Sequence, residues 1–287
     1  MKEETPRQGT GASRWRLLGP LGCLALLTAL VGTTVVAFLE PHWLQVVRTE
    51  VGIAGLPPGF DGLRVVQLTD IHRGPYTSTE QVRAAVDLAN SLQPDLIVLT
   101  GDYCHRSAKY IPDCFRELSR LRAPLGVYGV LGNHDHWADA GLSRSEMARA
   151  GIHELTNRHW CLERKGDRLY LAGVGDLWAD QQRLDEALKG VPAEARVLLL
   201  SHNPDYNEKL QDRRVKLMLA GHTHGGQVVL PLLGPLVIPS RYGSKYAAGL
   251  IHDGWKQVYV SRGVGVIIPP VRLNCRPEVS LLTLRRE

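Results

Sequence analysis

The stretch LRVVQLTDIHRGPYTSTEQVRAAVDLANSLQPDLIVLTGD, residues 63–102, contains one complete unit of a fold. LRVVQL (63–68) is a short apolar run of the kind a buried strand needs. STEQVRAAVDLANSL (78–92) follows, with Val82, Ala85, Val86 and Ala89 at helical spacing and Ser78 or Thr79 as the N-cap. DLIVLT (95–100) is a second strand. A helix near residues 111–121 and a strand GVYGVL (126–131) repeat the unit. Strands alternating with helices predict βαβ units and a largely parallel sheet. Further on, RHWCLERKGDRLYLAGVGD (158–176) reads as a hairpin about Lys165-Gly166-Asp167. ARVLLLSH (195–202) and VKLMLAGH (215–222) are strands with a short helix between them. The C-terminal third is strand-rich, with GGQVVL (225–230), KYAAGLI (245–251), KQVYVS (256–261) and EVSLLTL (278–284). We read one α/β domain with two sheets.

In α/β sheets ligands collect beyond the carboxyl ends of the strands. Five successive strands here end in Asp, Asn or His: Asp70 and His72, Asp102, Asn133 to Asp135, His202, and His222 with His224. Helix N-caps account for Asp and Asn at such places. They do not account for the histidines. His222 and His224 alternate just before Gly225-Gly226. A helix does not put residues i and i+2 on one face, whereas a strand does. At ~3.3 Å per residue the two rings would leave a strand end ~7 Å apart. That spacing suits two targets, and two-metal hydrolytic sites hold their ions ~3.5–4 Å apart. Carboxylate, imidazole and amide donors without thiolate suit Mn, Fe or Zn. Two cations need an anion between them, and Asp102 offers one. Paired ions activate a shared water and clamp the attacking and leaving oxygens of an in-line displacement, which is hydrolysis of a phosphoester or phosphoanhydride.

The blocks DIH (70–72), GD (101–102), GNHD (132–135), the isolated His202 and GHTH (221–224) resemble the calcineurin-like metallophosphoesterase superfamily, in its order. The resemblance implies two mixed β-sheets sandwiched between helices, a four-layer αββα fold. It implies that Asp70, His72 and His224 hold one divalent metal. Asn133, His202 and His222 would hold the other, with Asp102 bridging. His134 would protonate the leaving oxygen or stabilise the transition state, and Asp135 would orient its ring. The apolar N-terminal segment, EPHWLQV (40–46) and the closing SRGVGVIIPPVRLNCRPEVSLLTL (261–284) are similar to the membrane-anchored bacterial YkuE-like group of phosphodiesterases. That broad group includes enzymes that cleave the pyrophosphate of UDP-2,3-diacylglucosamine. The soluble enzymes for that step carry Arg where this chain has His134, which separates it from them. The expected substrate is a phosphoester, lipid-linked or a nucleotide-lipid. A hydrolase of extracytoplasmic soluble phosphoesters and a non-catalytic binding module are the alternatives.

Residues 17–39, LLGPLGCLALLTALVGTTVVAFL, carry no charge. About 23 residues at ~1.5 Å each give ~35 Å, enough to cross a bilayer core of ~30 Å. The run exceeds the ~7–15 residues of a signal-peptide core, so we read a retained transmembrane anchor, with VVA (35–37) as the competing cleavage point. Residues 1–16 hold Lys2, Arg7, Arg14 and Arg16 against Glu3 and Glu4. By the positive-inside tendency they form a cytoplasmic tail, and the domain at 60–287 lies on the extracytoplasmic, periplasmic side. Residues 40–59, with Pro41, Pro57 and Pro58, read as a tether. The net charge of +5 on 287 residues is too small and too scattered for a nucleic-acid partner.

Cys23, Cys104, Cys114, Cys161 and Cys275 form no CxxC pair, which excludes a zinc ribbon. Buried thiols are the expectation for the last four. His42, His105, His136, His153, His159 and His252 lie outside the blocks and are expected to pack or face solvent, although His105 and His136 sit close to Asp102 and His134. PLLGPLVIP (231–239) and GVGVIIPP (263–270) are expected to pack in the core or turn, with a lipid-binding wall as the sharper alternative. Arg241, Arg262 and Arg272 are open between phosphate contact and pairing within the protein.

Overall fold

The computed structural model describes residues 19–287. The expected cytoplasmic tail and residues 17 and 18 of the expected anchor fall outside them. In chain order the elements are α1 (Pro20–Leu39), β1 (Gln45–Ile53), β2 (Arg64–Leu68), α2 (Thr79–Ser91), β3 (Leu96–Leu99), α3 (Ile111–Leu118), β4 (Val127–Gly129), α4 (Asn133–Arg149), β5 (His153–Glu154), β6 (Arg158–Arg164), β7 (Asp167–Gly173), α5 (Leu184–Ala187), β8 (Val197–Leu200), β9 (Val215–Ala220), β10 (Val229–Leu230), β11 (Gly234–Pro235), β12 (Gly249–Asp253), β13 (Lys256–Val260) and β14 (Glu278–Arg286).

Two six-stranded sheets result, in the orders β1-β14-β2-β3-β4-β5 and β12-β13-β9-β8-β7-β6. β2 to β5 run parallel in the first sheet, and β7, β8, β9 and β13 in the second. Antiparallel pairing of β14 with β2, β12 with β13, and β6 with β7 makes both sheets mixed.

Continuous apolar runs form these strands because both faces of both sheets are covered. Along β3, Leu96 and Val98 enter the core between the sheets, while Ile97 and Leu99 pack under α2, α3 and α4. Along β8, Leu198 and Leu200 enter the same central core. Val197 and Leu199 face outward, beneath Leu188 and Tyr206. Fully burying one such side chain is worth ~1.5–3 kcal/mol, so the strands are held from both sides. The layers run helices, sheet, sheet and a thinner helical cover. α2 starts where its sequence says, with Ser78 as N-cap. The Ser78 Oγ accepts from Gln81 N at 3.3 Å, and the Gln81 Oε1 accepts from Ser78 N at 2.8 Å.

The expected tether is instead folded. β1 pairs with β14 in parallel along its whole length, from Gln45↔Glu278 to Ile53↔Arg286, and buries Val51 and Ile53. The Glu40 carboxylate is buried and accepts the backbone N–H groups of Asn274 and Cys275. The last turn of α1 is fastened there too, since Arg272 N donates to Ala37 O at 2.9 Å. α1 is itself long and apolar enough to cross a membrane, and Leu24, Leu27, Leu30, Val31, Val35 and Phe38 along it are exposed. The hydroxyls of Thr28 and Thr34 bond back to Leu24 O and Leu30 O, which satisfies them inside the helix.

Residues 231–239 depart from the core-packing expectation: Leu232, Leu233, Leu236 and Val237 are exposed. Cys104, Cys114 and Cys275 are buried and Cys161 half-buried, and burial pushes the thiols of Cys104, Cys114 and Cys275 up, away from the thiolate.

Candidate active site

All five strand ends meet at one edge of the sandwich, where the chain leaves β2, β3, β4, β8 and β9. Asp70, His72, Asp102, Asn133, His134, Asp135, His202, His222 and His224 are all buried there. Two subclusters share Asp102. In the first, His72 Nε2 lies 3.0 Å from His224 Nε2, and His224 Nε2 lies 3.3 Å from Asp70 Oδ1. In the second, His202 Nε2 lies 3.1 Å from Asn133 Oδ1 and 3.1 Å from His222 Nδ1. Asp102 Oδ2 stands between them, 3.4 Å from His72 Nε2 and 3.3 Å from His202 Nε2.

The backbone that presents these groups is unusual. Asp70 (φ 49°), His72 (φ 46°), Asp102 (φ 57°), His222 (φ 70°) and His224 (φ 52°) are all left-handed. Non-glycine residues there cost ~1–2 kcal/mol each, and such strain collects at functional sites. Residues 222–224 therefore form a turn and not the expected strand end. The two rings are separated by turn geometry, with His222 joined to His202 and His224 to His72. Close approach also explains two glycines. A Cβ on Gly132 would overlap the Asp102 carboxylate and the His202 ring, and one on Gly221 would overlap the Asp70 carboxylate.

The electrostatics fit cations. Burial works against ionising Asp70, yet His224 and His72 hold its carboxyl below the usual carboxylate range. Burial works against Asp102 in the same way, and His202 and His72 outweigh it. Burial pushes His134 down to about 4 and His222 to about 3, and takes His224 well below its usual value. These rings are neutral at pH 7, as metal ligation requires. His202 is the exception: burial opposes its charge, but Asp102 and Asp70 raise it well above the ordinary value. Its Nδ1 donates to Thr100 O at 2.8 Å, which fixes the ring and turns Nε2 inward. A proton on Nε2 then faces Asn133 Oδ1, His222 Nδ1 and Asp102 Oδ2 together. Three acceptors converging on one positive hydrogen are a donor set for a cation. Asp70 Oδ1, buried in the other subcluster, has no hydrogen-bond partner among the described residues, which fits the same reading.

Asp135 does not orient the His134 ring. Its carboxylate accepts from the backbone N–H groups of Asp102 (2.8 Å), Tyr103 (2.8 Å) and Gly132 (2.9 Å). It pins the Asp102 loop to the start of α4, where the expectation had it hold an imidazole. His134 Nδ1 has no hydrogen-bond partner among the described residues, while its backbone N donates to Asp102 Oδ1 at 2.8 Å. Arg272 and Arg262 are committed within the protein. Buried Arg272 donates to the carbonyls of Cys275, Arg262 and Gly265, and Arg262 Nε donates to Glu278 Oε2 at 2.7 Å. Arg241 is exposed.

Three neighbours were not among the expected site residues. Asp176, at the end of β7, is buried, and its Oδ2 has no hydrogen-bond partner among the described residues. Trp178 stands edge-on to the His222 ring at 4.3 Å. His105 lies 5.6 Å from His134 and 5.9 Å from His72, ring to ring. Asp176 obeys the strand-end rule that singled out the others, applied to a sixth strand. His136 lies 3.8 Å from Asp180 and joins neither subcluster.

Residues 63–226 match the family described as calcineurin-like phosphoesterase. The chain is 33% identical over 280 residues to the metallophosphoesterase YkuE of Bacillus subtilis, covering 94% of this chain and 96% of that one. It is 33% identical over 253 residues to the phosphodiesterase YaeI of Escherichia coli, covering 86% and 90%. It is 26% identical over 262 residues to the UDP-2,3-diacylglucosamine pyrophosphatase LpxG of Chlamydia trachomatis, covering 74% and 80%. With the two subclusters held by five strand ends of a two-sheet sandwich, the chain belongs to the calcineurin-like phosphoesterase family.

Proposed function

We propose that this phosphoesterase is a two-metal phosphodiesterase or pyrophosphatase anchored by α1, acting on a lipid-linked phosphoester or phosphoanhydride. The observation that carries the two-metal reading is the position of Asp102 Oδ2, almost equidistant from His72 Nε2 and His202 Nε2. Asp70, His72 and His224 would hold one divalent ion, and Asn133, His202 and His222 the other, with Asp102 available to both. Bound there, Mn, Fe or Zn would supply Lewis acidity and an activated water.

The remaining work falls to the chain. Asp135 fixes the backbone of Asp102 and Gly132, so the bridging carboxylate and Asn133 keep their relative position. Neutral His134 stands 4.6 Å from His72 ring to ring, and its imidazole would serve the leaving oxygen. Trp178, edge-on to the His222 ring at 4.3 Å, covers one side of it.

The lipid-linked substrate class is supported by α1 and by the relative named as a UDP-2,3-diacylglucosamine pyrophosphatase. The excess of cations in residues 1–16 supports an extracytoplasmic domain. The test is hydrolysis of bis-p-nitrophenyl phosphate by the full chain with added Mn, Fe or Zn. We expect Asn133→Ala and His134→Ala each to lower kcat about a hundredfold or more. Unchanged rates in both variants would remove the site assignment.

A further inference from the structure

Leu232, Leu233, Leu236, Val237 and Ile268 are large apolar residues left in water, Leu232 fully and Leu233 and Val237 at 77% and 73%. One exposed leucine is ordinary, but a concentration of them marks a surface that meets something apolar. Four lie on and just beyond the hairpin of β10 and β11. Ile268 belongs to the same edge, because the Gln227 side chain bonds Ile267 N at 2.8 Å and Pro269 O at 3.1 Å.

The position of this edge says what it meets. The base of the hairpin pairs with the segment that holds α1: Val229 N donates to Leu273 O at 2.9 Å, and Asn274 Nδ2 to Val229 O at 3.0 Å. One residue earlier, Arg272 N holds Ala37 O of α1. The hairpin thus starts one strand away from the end of a helix whose exposed side chains call for lipid. Trp43, four residues past that helix, carries Arg276 over its ring at 5.2 Å. A tryptophan with a cation at the end of an apolar span is the usual signature of the membrane–water interface.

The same edge reaches the catalytic centre. Pro235 and Ile238 lie against Gly226, two residues after the metal-ligand candidate His224. Cys275 Sγ donates to His224 O at 3.2 Å. We propose that the tip of this hairpin, with Ile268, enters the surface of the bilayer that α1 spans. It thereby holds the mouth of the site against the membrane, so that an acylated phosphoester reaches the metals without leaving the lipid. This rests on α1 being a membrane span and on the site being a phosphoesterase.

The full chain is reconstituted in vesicles of phosphatidylcholine and phosphatidylglycerol with brominated acyl chains, and the extra fluorescence quenching is read in Leu232→Trp and, as a reference in α1, in Val31→Trp. Quenching above the unsubstituted chain at both positions is expected. Quenching at 31 without quenching at 232 overturns the hairpin proposal and leaves the anchor standing, whereas quenching at neither overturns both. A second arm compares substrates in Leu232→Glu with Leu233→Glu. Hydrolysis of a vesicle-borne acylated p-nitrophenyl phosphodiester should fall about tenfold, while soluble bis-p-nitrophenyl phosphate is cleaved as before. An equal loss on both substrates assigns the leucines to folding and overturns the proposal. Failure of the unsubstituted chain on the soluble substrate would instead remove the phosphoesterase reading, with the quenching arm still deciding the contact.

Discussion

The Nε2 atoms of His72 and His224 lie 3.0 Å apart although 152 residues separate them in the chain. Two buried imidazoles that aim nitrogens at each other share at most one proton, unless a cation replaces it. We therefore expect metal to be a large part of this domain's stability. A ligand at a hundred times its Kd adds about 2.7 kcal/mol. For a domain of this size that is about 5–10 °C in Tm. Thermal unfolding with Mn2+ and then with excess chelator should show that difference, and Asp102→Asn should abolish most of it. Identical melting curves would count against any metal at the site.

Metal affinity should depend on pH through His202. Burial already keeps His222 and His224 neutral well below pH 7, so they release no proton on binding near neutrality. His202 differs, because Asp102 and Asp70 raise it well above its usual value and it is protonated in the metal-free site. A ligand must lose its proton first, so affinity rises as pH climbs toward the raised His202 value and falls as pH drops. Calorimetry at pH 7 in buffers of different ionisation enthalpy should show about one proton released from the chain. No buffer dependence would mean that His202 is neutral before metal arrives.

Much of this was readable because α/β chemistry sits at strand ends and the strands are short apolar runs. The five blocks could be located from residues 63–224 alone. What was not readable is instructive. β1 is held by β14, with Gln45 opposite Glu278, and no local pattern reveals a partner so far along the chain. The prolines around it suggested a tether for that reason. His222 and His224 were expected to leave one face of a strand end ~7 Å apart, yet they stand on a turn in which both are left-handed. Spacing fixes that two side chains are separated but not the backbone that separates them. Asp176 was legible by the strand-end rule and lay hidden in a segment read only as a hairpin.

The carboxylate of Asp135 tests the difference between orienting a ring and fixing a loop. It accepts three buried backbone N–H groups, one of them from Asp102 itself. Leaving a buried donor unsatisfied costs ~1–3 kcal/mol. Asp135→Ala should therefore weaken Mn2+ binding about tenfold or more by displacing Asp102. His134→Ala, which leaves both ligand sets intact, should bind metal as the unsubstituted chain does while losing kcat. If Asp135→Ala instead keeps full metal affinity and loses only kcat, ring orientation is the better account.

His105 is the residue on which the geometry asks for more than the sequence did. Its ring sits between His134 and Tyr76, at 5.6 Å and 6.0 Å, and its Nδ1 is buried without a hydrogen-bond partner among the described residues. Nitrogens of His72, His105 and His134 fall within 4.8 Å of one another. His72 Nε2 is engaged with His224 and Asp102, whereas the Nδ1 atoms of His72, His105 and His134 have no hydrogen-bond partner among the described residues. Burial, and then the neighbouring His72, lowers His105, which keeps it a neutral ring at pH 7. A neutral imidazole beside the leaving-group position donates a hydrogen bond to a phosphoryl or leaving oxygen. His105→Ala should lower kcat/KM for a phosphodiester about tenfold with metal content unchanged, and His105→Asn, which keeps a donor, should recover part of it. Metal content by atomic emission, beside kcat and KM, separates this from ligation. Loss of metal in His105→Ala would make it a ligand, and unaltered kinetics would return it to packing.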